Sequence, residues 1–357
     1  MYTYDIDPQT LFDDRTHQFA GFGLPLDHIN AVRARVTDMW ADAPGGWSYE
    51  WSTLAESYAA AGDHLLSSFA YGCAHFPCLN TEARSHALNK QLEQYLLAAK
   101  DFPVTFERRI ITVAYQGTEV EVPVHLYSPD GDYPARPVLL AHGGVDTFKM
   151  DFHPFCLAFT EGTGMTTLAI DMPGTGETPV PLDVGGDELI SGLVEFARSV
   201  GDGRVGHFGM SFGGNFSAMS GLTGLVDAAV DLGGPLVASF TPEHGAALPY
   251  GMRDIIGNAM HLDRPPTLDE SLDALGRLSR ADLLTQQSNS PMLVINGADD
   301  YFVAPSDTLV FEGRPRTDVH LLENTGHCAM SKAAEVVPMI IGWLRTQFAP
   351  ISTGVLT

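Results

Sequence analysis

Two hydrophobic rhythms divide the chain. Up to about residue 102, apolar side chains recur at helical spacing over 26–40, 51–61, 64–76 and 81–99, with few β-branched runs. Gly62 and Pro77 punctuate the breaks. Ala55, Ala59, Ala70 and Ala74 supply the small side chains that suit close helix packing. No repeat period is sustained, which argues against a solenoid. At Phe102-Pro103 the rhythm changes. Segments 105–115 and 119–127 alternate polar and apolar residues, as an antiparallel pair at a sheet edge would. Short continuous apolar runs follow at 137–141, 166–170, 205–210, 228–232 and 292–295. Helix-like stretches at 151–161, 187–199 and 212–222 separate them. Buried strands alternating with helices predict a doubly wound, mostly parallel α/β sheet.

The alternation stops between Gly234 and Pro291. Two helix-like pieces, 250–261 and 268–278, are joined there through Asp263-Arg264-Pro265-Pro266. An insertion at this point would lie over the carboxyl ends of the strands, where open α/β sheets bind ligands. It reads as a helical cap at about 235–290. A strand at 319–323 and an amphipathic helix at 331–348 close the pattern. The expected organisation is an N-terminal helical domain, 1–102, and an α/β domain, 103–357, that carries the cap.

Composition narrows the function classes. Hydrophobic residues make up 45% of 357 and charged residues 18%, an ordinary globular balance. The formal net charge of −24 repels nucleic acid and anionic membranes, and otherwise reads as solubility. The expected partner is a small-molecule substrate, with no nucleic acid and no membrane; a homodimer is compatible with the chain. Four cysteines in this length are not a disulfide framework, and buried thiols are the default reading. The start Met1-Tyr2-Thr3-Tyr4-Asp5 has neither a basic nor an apolar leader region, and apolar stretches such as 336–341 fall short of the ~18 residues of a membrane span. A soluble cytoplasmic protein is expected.

The chemistry centres on Gly209-Met210-Ser211-Phe212-Gly213, directly after the run at 204–208. With 36 glycines in 357 residues, two glycines flank a given serine about 1 time in 100, so the pattern alone is weak. Its placement is not weak: an apolar run, a Gly-x-Ser-x-Gly turn and a helix-like stretch form the layout of a nucleophile elbow, and an Asp and a His follow in the order that α/β-hydrolases use. A serine hydroxyl attacks poorly without a base in hydrogen-bond reach. His327, in Asn324-Thr325-Gly326-His327 just past the last strand, is the candidate base. A carboxylate must fix its tautomer. Asp300 is favoured over Asp299 because the acid of this fold often stands three residues after a Gly and three before a Val, here Gly297 and Val303. The oxyanion needs N–H donors. Phe212, after the serine, supplies one, and Gly144 or Val145, in His142-Gly143-Gly144-Val145-Asp146, the other. The GxGxxG at 201–206 precedes a strand and is no dinucleotide loop. The turn at 171–177 lacks the Lys-Ser/Thr of a phosphate loop. No His/Cys cluster has zinc spacing. Neither cofactor nor metal is expected.

These features resemble the α/β-hydrolase superfamily. More narrowly they resemble the branch that holds the fermentation–respiration switch protein, dihydroxypseudooxynicotine hydrolase and the fungal polyketide-shortening pigment hydrolases. That branch carries an N-terminal helical domain, a Gly-Gly-x-Asp/Glu turn with a Lys soon after, here Gly143 to Asp146 and Lys149, and an Asp-x-Pro-Gly-x-Gly-Glu turn, here Asp171 to Glu177. Trp51, Ala55, Tyr58, Gly62, Ala70 and Tyr71 match the helical domain in style. The turn reads Asp-Met-Pro-Gly-Thr-Gly where relatives often have Asp-Gly-Pro-Gly-Gln-Gly, and Lys149-Met150-Asp151 replaces a more acidic run. The resemblance implies a Ser-His-Asp hydrolase of a medium-sized carbonyl compound, closed over by its helical domain. Several relatives cleave a carbon–carbon bond beside a ketone, which points to a β-diketone or polyketide-like substrate. In such enzymes a cap acid can assist; Glu243 matches that place, with a solvated loop acid as the plain alternative, and Asp146 is a second candidate substrate contact. Carboxylester, lactone or thioester hydrolysis, acyl transfer, and a non-catalytic ligand-binding protein are the competing readings.

Overall fold

The computed structural model describes residues 1–349; the end of the expected α/β domain, 350–357, lies outside the described residues. Five helices come first: α1 (Pro8–Gly21), α2 (Leu26–Arg33), α3 (Trp47–Ala61), α4 (His64–His75) and α5 (Glu82–Ala98). Helix α1 was not foreseen as an element. Its sequence is dense in charge at Asp13, Asp14 and Arg15, which blurs the apolar stripe of Leu11, Phe12 and Phe19. Asp7 caps it by accepting the Gln9 and Thr10 amides at 3.1 and 3.2 Å, and Pro8 fills the first turn, where its missing N–H costs nothing. Helix α2 stops at Arg33, short of the expected 40. Asp38 takes over there: its carboxylate accepts the Trp40 and Ala41 amides at 2.7 and 2.8 Å, a local turn that competes with the helix. The five helices share an aromatic core of Phe12, Phe19, Trp47, Trp51, Phe69 and Phe76.

Eight strands follow: β1 (Thr105–Tyr115), β2 (Thr118–Ser128), β3 (Val138–His142), β4 (Thr166–Ala169), β5 (Val205–Met210), β6 (Ala228–Leu232), β7 (Met292–Gly297) and β8 (Thr317–Leu322). They form one sheet in the order β1-β2-β4-β3-β5-β6-β7-β8. The β1–β2 hairpin and the β2–β4 pair are antiparallel, and every other neighbour pair is parallel. Strands β3, β4, β5 and β6 are buried throughout apart from Met210, as strands covered on both faces must be. Helices α6 (His153–Thr163) and, at the chain's end, α14 (Ala333–Gln347) cover one face through Phe152, Phe159, Ile340 and Leu344. Helices α7 (Gly186–Val200) and α8 (Phe212–Leu222) cover the other through Leu189, Leu193, Phe216 and Leu222.

Between β6 and β7 stand α9 (Pro242–Ala247), α10 (Met252–Ala259), α11 (Leu268–Gly276) and α12 (Ala281–Leu284), with α13 (Pro305–Leu309) after β7. The two expected cap helices correspond to α10 and α11; α9 and α12 are additional short turns. Both ends of this insertion are anchored. The Asp307 carboxylate accepts the amides of Leu236, Val237, Ala238 and Ser239 at 2.7–3.1 Å. Arg280 forks onto Asp187 with two bonds of 2.7 Å. Strand order reverses around β3, which lies between β4 and β5, so the crevice beyond the carboxyl ends of β3 and β5 is where this sheet presents a ligand site.

Candidate active site

Ser211 joins β5 to α8 with φ 56° and ψ −132°. This conformation is strained for a residue with a side chain, at a cost of about 1–3 kcal/mol, and the surroundings must enforce it. They do so through the Ser211 amide, which donates to Leu232 O at 2.8 Å, and the Ser211 carbonyl, which accepts the Gly214 amide at 2.8 Å. The turn is too tight for flanking side chains. A Cβ on Gly209 would stand 2.0 Å from Gly213 O, and one on Gly213 would stand 2.4 Å from Gly143 O.

The structure brings the three residues Ser211, His327 and Asp300 together. His327 Nε2 lies 2.8 Å from Ser211 Oγ, and His327 Nδ1 lies 2.8 Å from Asp300 Oδ2. Asp299, the alternative acid, is exposed. Asp300 sits in a donor cage: Asn296 Nδ2 at 2.9 Å, the Phe302 amide at 2.8 Å and the Val303 amide at 3.1 Å. Burial works against its ionised form, but His327 and these donors outweigh it and hold its pKa below the usual carboxylate range. Burial likewise works against a charged His327. The neighbouring Cys328 and Asp300 reverse the balance, and the imidazole's pKa stands well above the ordinary histidine value. The Cys328 thiol donates to Leu232 O at 3.2 Å.

Asn296 is a residue that sequence reasoning passed over. Its Oδ1 accepts the Gly297 amide at 2.8 Å and the Cys328 amide at 3.0 Å while its Nδ2 serves Asp300. One buried amide thus ties the acid loop to the histidine loop. A polar residue ending an apolar strand was its only signal.

Gly144 faces the serine. A Cβ there would stand 2.8 Å from Ser211 Oγ and 3.2 Å from the Phe212 nitrogen, so only glycine leaves room for a substrate oxygen. Among the described residues, the amides of Phe212, Gly144 and Val145 donate no hydrogen bond. Beneath this turn His142 Nε2 meets His207 Nε2 at 2.8 Å, and burial pushes the pKa of His142 down to about 4, so the pair is neutral. Lys149, fully buried, lies 2.5 Å from Asp171 and 2.7 Å from Glu177, and Arg108 reaches Glu177 at 2.7 Å. The Lys and the acidic turn noted in the sequence are therefore one ion network behind the oxyanion turn. Asp146 stands 3.0 Å from the Arg15 guanidinium. Glu243 is exposed on α9, beside His244, whose Nε2 lies 2.8 Å from Phe302 O.

The walls near the serine and histidine are aromatic. Phe302 packs edge-on against His327 at 5.3 Å, Phe240 lies 6.2 Å from Phe212, and Tyr250 lies 6.2 Å from Phe302. A cavity of about 220 Å³ adjoins Val145, bounded by Phe148, Leu79, Thr175, Pro179 and Asn258. Among the described residues no group of three or more His, Cys, Asp or Glu is placed to hold a metal ion, and no helix is long and apolar enough to cross a membrane.

Residues 36–317 match a family described as esterase FrsA-like. The esterase FrsA of Enterobacter sp. (strain 638) is 25% identical over 307 residues, 74% of this chain and 70% of that protein. For the esterase FrsA of Yersinia pestis (strain Pestoides F) the figures are 25% over 198 residues, 50% of this chain and 46% of that protein. Among solved structures, a 2,6-dihydroxy-pseudo-oxynicotine hydrolase superposes with a TM-score of 0.75 at 20% identity, covering 93% of this chain and 95% of its own. AbyA5 gives 0.73 at 21%, covering 89% and 93%. These superpositions establish the α/β-hydrolase fold.

Proposed function

This chain belongs to the FrsA-like esterase family and is a hydrolase of the α/β-hydrolase type, and from that premise we propose that it is a serine hydrolase acting on a medium-sized carbonyl compound. Ser211 is the nucleophile, His327 the base and Asp300 the acid that orients it. The observation that carries this reading is the continuous relay of 2.8 and 2.8 Å from Ser211 Oγ through His327 to Asp300, beside backbone amides that have no partner among the described residues.

The geometry supports the following steps. Ser211 Oγ attacks the carbonyl carbon as its proton passes to His327 Nε2. The new oxyanion is met by the Phe212 amide and by that of Gly144 or Val145. Collapse expels the leaving group, which takes the proton from His327. Water, deprotonated by His327, then attacks the acyl-enzyme, releasing the acid and restoring Ser211. The aromatic walls suit an apolar or aromatic acyl group.

An ester needs nothing more. Cleavage of a carbon–carbon bond expels a carbanion, which must leave as an enolate or electron-rich ring and be protonated by a nearby donor. The family match is to esterases, and an ester or thioester is the reading we favour. Hydrolysis of a β-dicarbonyl or polyketide-like ketone uses the same attack by Ser211 and takes its proton from His327. Two measurements decide. A fluorophosphonate should label Ser211, and Ser211→Ala should lose both labelling and all but about one part in 10⁵ of turnover while remaining folded. The kcat/KM for aryl-acyl esters should exceed that for β-dicarbonyl compounds of equal size; the reverse order would replace the esterase reading by carbon–carbon hydrolysis.

A further inference from the structure

We propose that Arg15, on α1, is a positioning residue for the oxyanion turn. The proposal rests on the serine-hydrolase reading above. Arg15 is only 8% exposed. Its Nη2 lies 3.0 Å from Asp146 Oδ2 and its Nε 2.8 Å from Asp14 Oδ2. Its Nη1 donates to Gln18 Oε1 at 3.0 Å. Gln18 in turn donates from Nε2 to Thr147 Oγ1 at 3.1 Å, and that hydroxyl faces Asp146 Oδ1 at 3.3 Å. On the other side the Tyr301 hydroxyl donates to Asp14 Oδ1 at 2.6 Å. One helix thus holds two loops at the sheet's carboxyl edge: the turn that follows Gly144-Val145 and the loop that follows Asp300. The guanidinium carbon also lies 5.2 Å from the centre of the Phe302 ring, whose edge packs on His327.

The oxyanion turn needs this support because it cannot supply its own. Gly143 and Gly144 have no side chains, and the donor amides beside Ser211 make no hydrogen bond among the described residues. Asp146 and Thr147 are the first polar side chains after those amides, and both are held from α1. The guanidinium lies as a buried positive charge between the two carboxylates, and its hydrogen bond to Gln18 carries the link on to Thr147. Without it, two nearby acids, Asp14 and Asp146, would repel, and Asp146 would swing toward water and carry Val145 with it. A donor displaced by about 1 Å costs on the order of 100-fold in rate. Arg15 lies ahead of the residues matched by the family model, so nothing in that match accounts for it.

The test uses Arg15→Met, Arg15→Lys and Asp146→Asn in the full chain with an aryl ester, and Ser211→Ala beside them. Arg15→Met is expected to lower kcat about 10- to 100-fold with KM changed by less than about twofold. Benzeneboronic acid bonds to the serine and places an oxygen between the oxyanion donors, so its affinity should fall by the same factor. Arg15→Lys should remain at least about fivefold down in kcat, since the charge is kept and the guanidinium's bond to Gln18 is lost. Arg15→Met combined with Asp146→Asn should be no worse than the more impaired single variant. Wild-type kcat and boronate affinity in either arginine variant would overturn the proposal. So would a loss confined to KM, or a double variant whose losses multiply. If Arg15→Met fails to fold, Arg15→Lys decides by the same two readouts. Undiminished turnover in Ser211→Ala would overturn the serine-hydrolase reading and this proposal together, whereas an inactive Ser211→Ala beside a normal Arg15→Lys would reject the positioning role alone.

Discussion

Ser211, His327 and Asp300 are tied together by residues at the sheet's own edge, whereas the turn carrying Gly144 and Val145 depends on side chains from distant parts of the chain. In the first half, Asn296 at the end of β7 bonds Asp300 and the Cys328 amide, and Leu232 at the end of β6 receives the Ser211 amide. Each support lies on a strand next to the residue it holds. In the second half, Lys149 is clamped by Asp171 and Glu177, Glu177 by Arg108 on β1, and Asp146 by Arg15 on α1. The proposed chemistry is concentrated in the first half, and long-range electrostatics in the second. Damage to the first should therefore cost turnover at nearly constant stability, and damage to the second should cost stability and turnover together.

The largest expected effect is on the first half. Asp300→Asn keeps the shape of the acid but loses its charge, and it presents a donor where His327 Nδ1–H needs an acceptor. In a Ser-His-Asp arrangement this lowers kcat by about 10⁴. The pH profile should move as well. On the proposed mechanism activity needs neutral His327, whose pKa is held above the ordinary value by Cys328 and Asp300, so wild-type kcat/KM should rise with pH through a midpoint above that of an ordinary histidine. Without the carboxylate the imidazole loses part of the support for its charge while burial still opposes it, and the rising limb should shift to more acidic pH. A limb that stays in place would show that Asp300 does not set the base. The melting temperature should change little.

Lys149→Met tests the second half. The ammonium is fully buried against two carboxylates, and its loss leaves Asp171, 1% exposed, without a cation. Removing one partner of a buried ion pair costs about 3–5 kcal/mol. The melting temperature should fall by on the order of 10 °C, and kcat should fall with it as the turn loosens. Adding Asp171→Asn should restore part of the stability, because the uncompensated charge goes with it. If Lys149→Met melted within about 2 °C of wild type, the two halves would not differ in the way their contacts imply.

The same contrast decided what could be read from the sequence. Ser211, Asp300 and His327 were legible because each follows a buried strand at a turn whose residue types are dictated by local geometry. The parallel sheet and its antiparallel edge hairpin were legible for a related reason: burial on one face or two leaves period-two or continuous apolar runs. Arg15 was not legible, because α1 itself was hidden by Asp13, Asp14 and Arg15, which look like a solvated face. In fact Arg15 is buried by loops some 130 and 290 residues away along the chain, at Asp146 and Phe302. Lys149, Asp171 and Glu177 were visible as motif residues, but their joining into one network depends on β3 and β4 being neighbours, which spacing alone does not reveal. The exposed position of Glu243 follows from the short helix α9, which the wider apolar pattern of α10 and α11 overshadowed.

A pH-dependent effect probes whether the first half is wholly free of electrostatic strain. Asp231, on β6, pairs in register with Gly209 of the elbow and is fully buried beside Gly214. Burial, with a further push from Asp307 against the opposing bond from the Gly234 amide, raises its carboxyl to about 8. The folded protein thus binds this proton more tightly than the unfolded chain does. The stability that goes with it is complete below the ordinary aspartate pKa of about 4, declines as pH rises, and is fully lost once pH passes about 8. Asp231→Asn imitates the protonated acid, keeps an oxygen for the Gly234 amide, 2.7 Å away, and does not titrate. Its stability relative to wild type should grow by about 1.4 kcal/mol per pH unit between roughly 5 and 8 and then level off. Melting curves collected across that range check the slope. Parallel curves for the two proteins would mean that Asp231 is ionised in the fold, and that the elbow, like the oxyanion turn, tolerates a buried charge at its back.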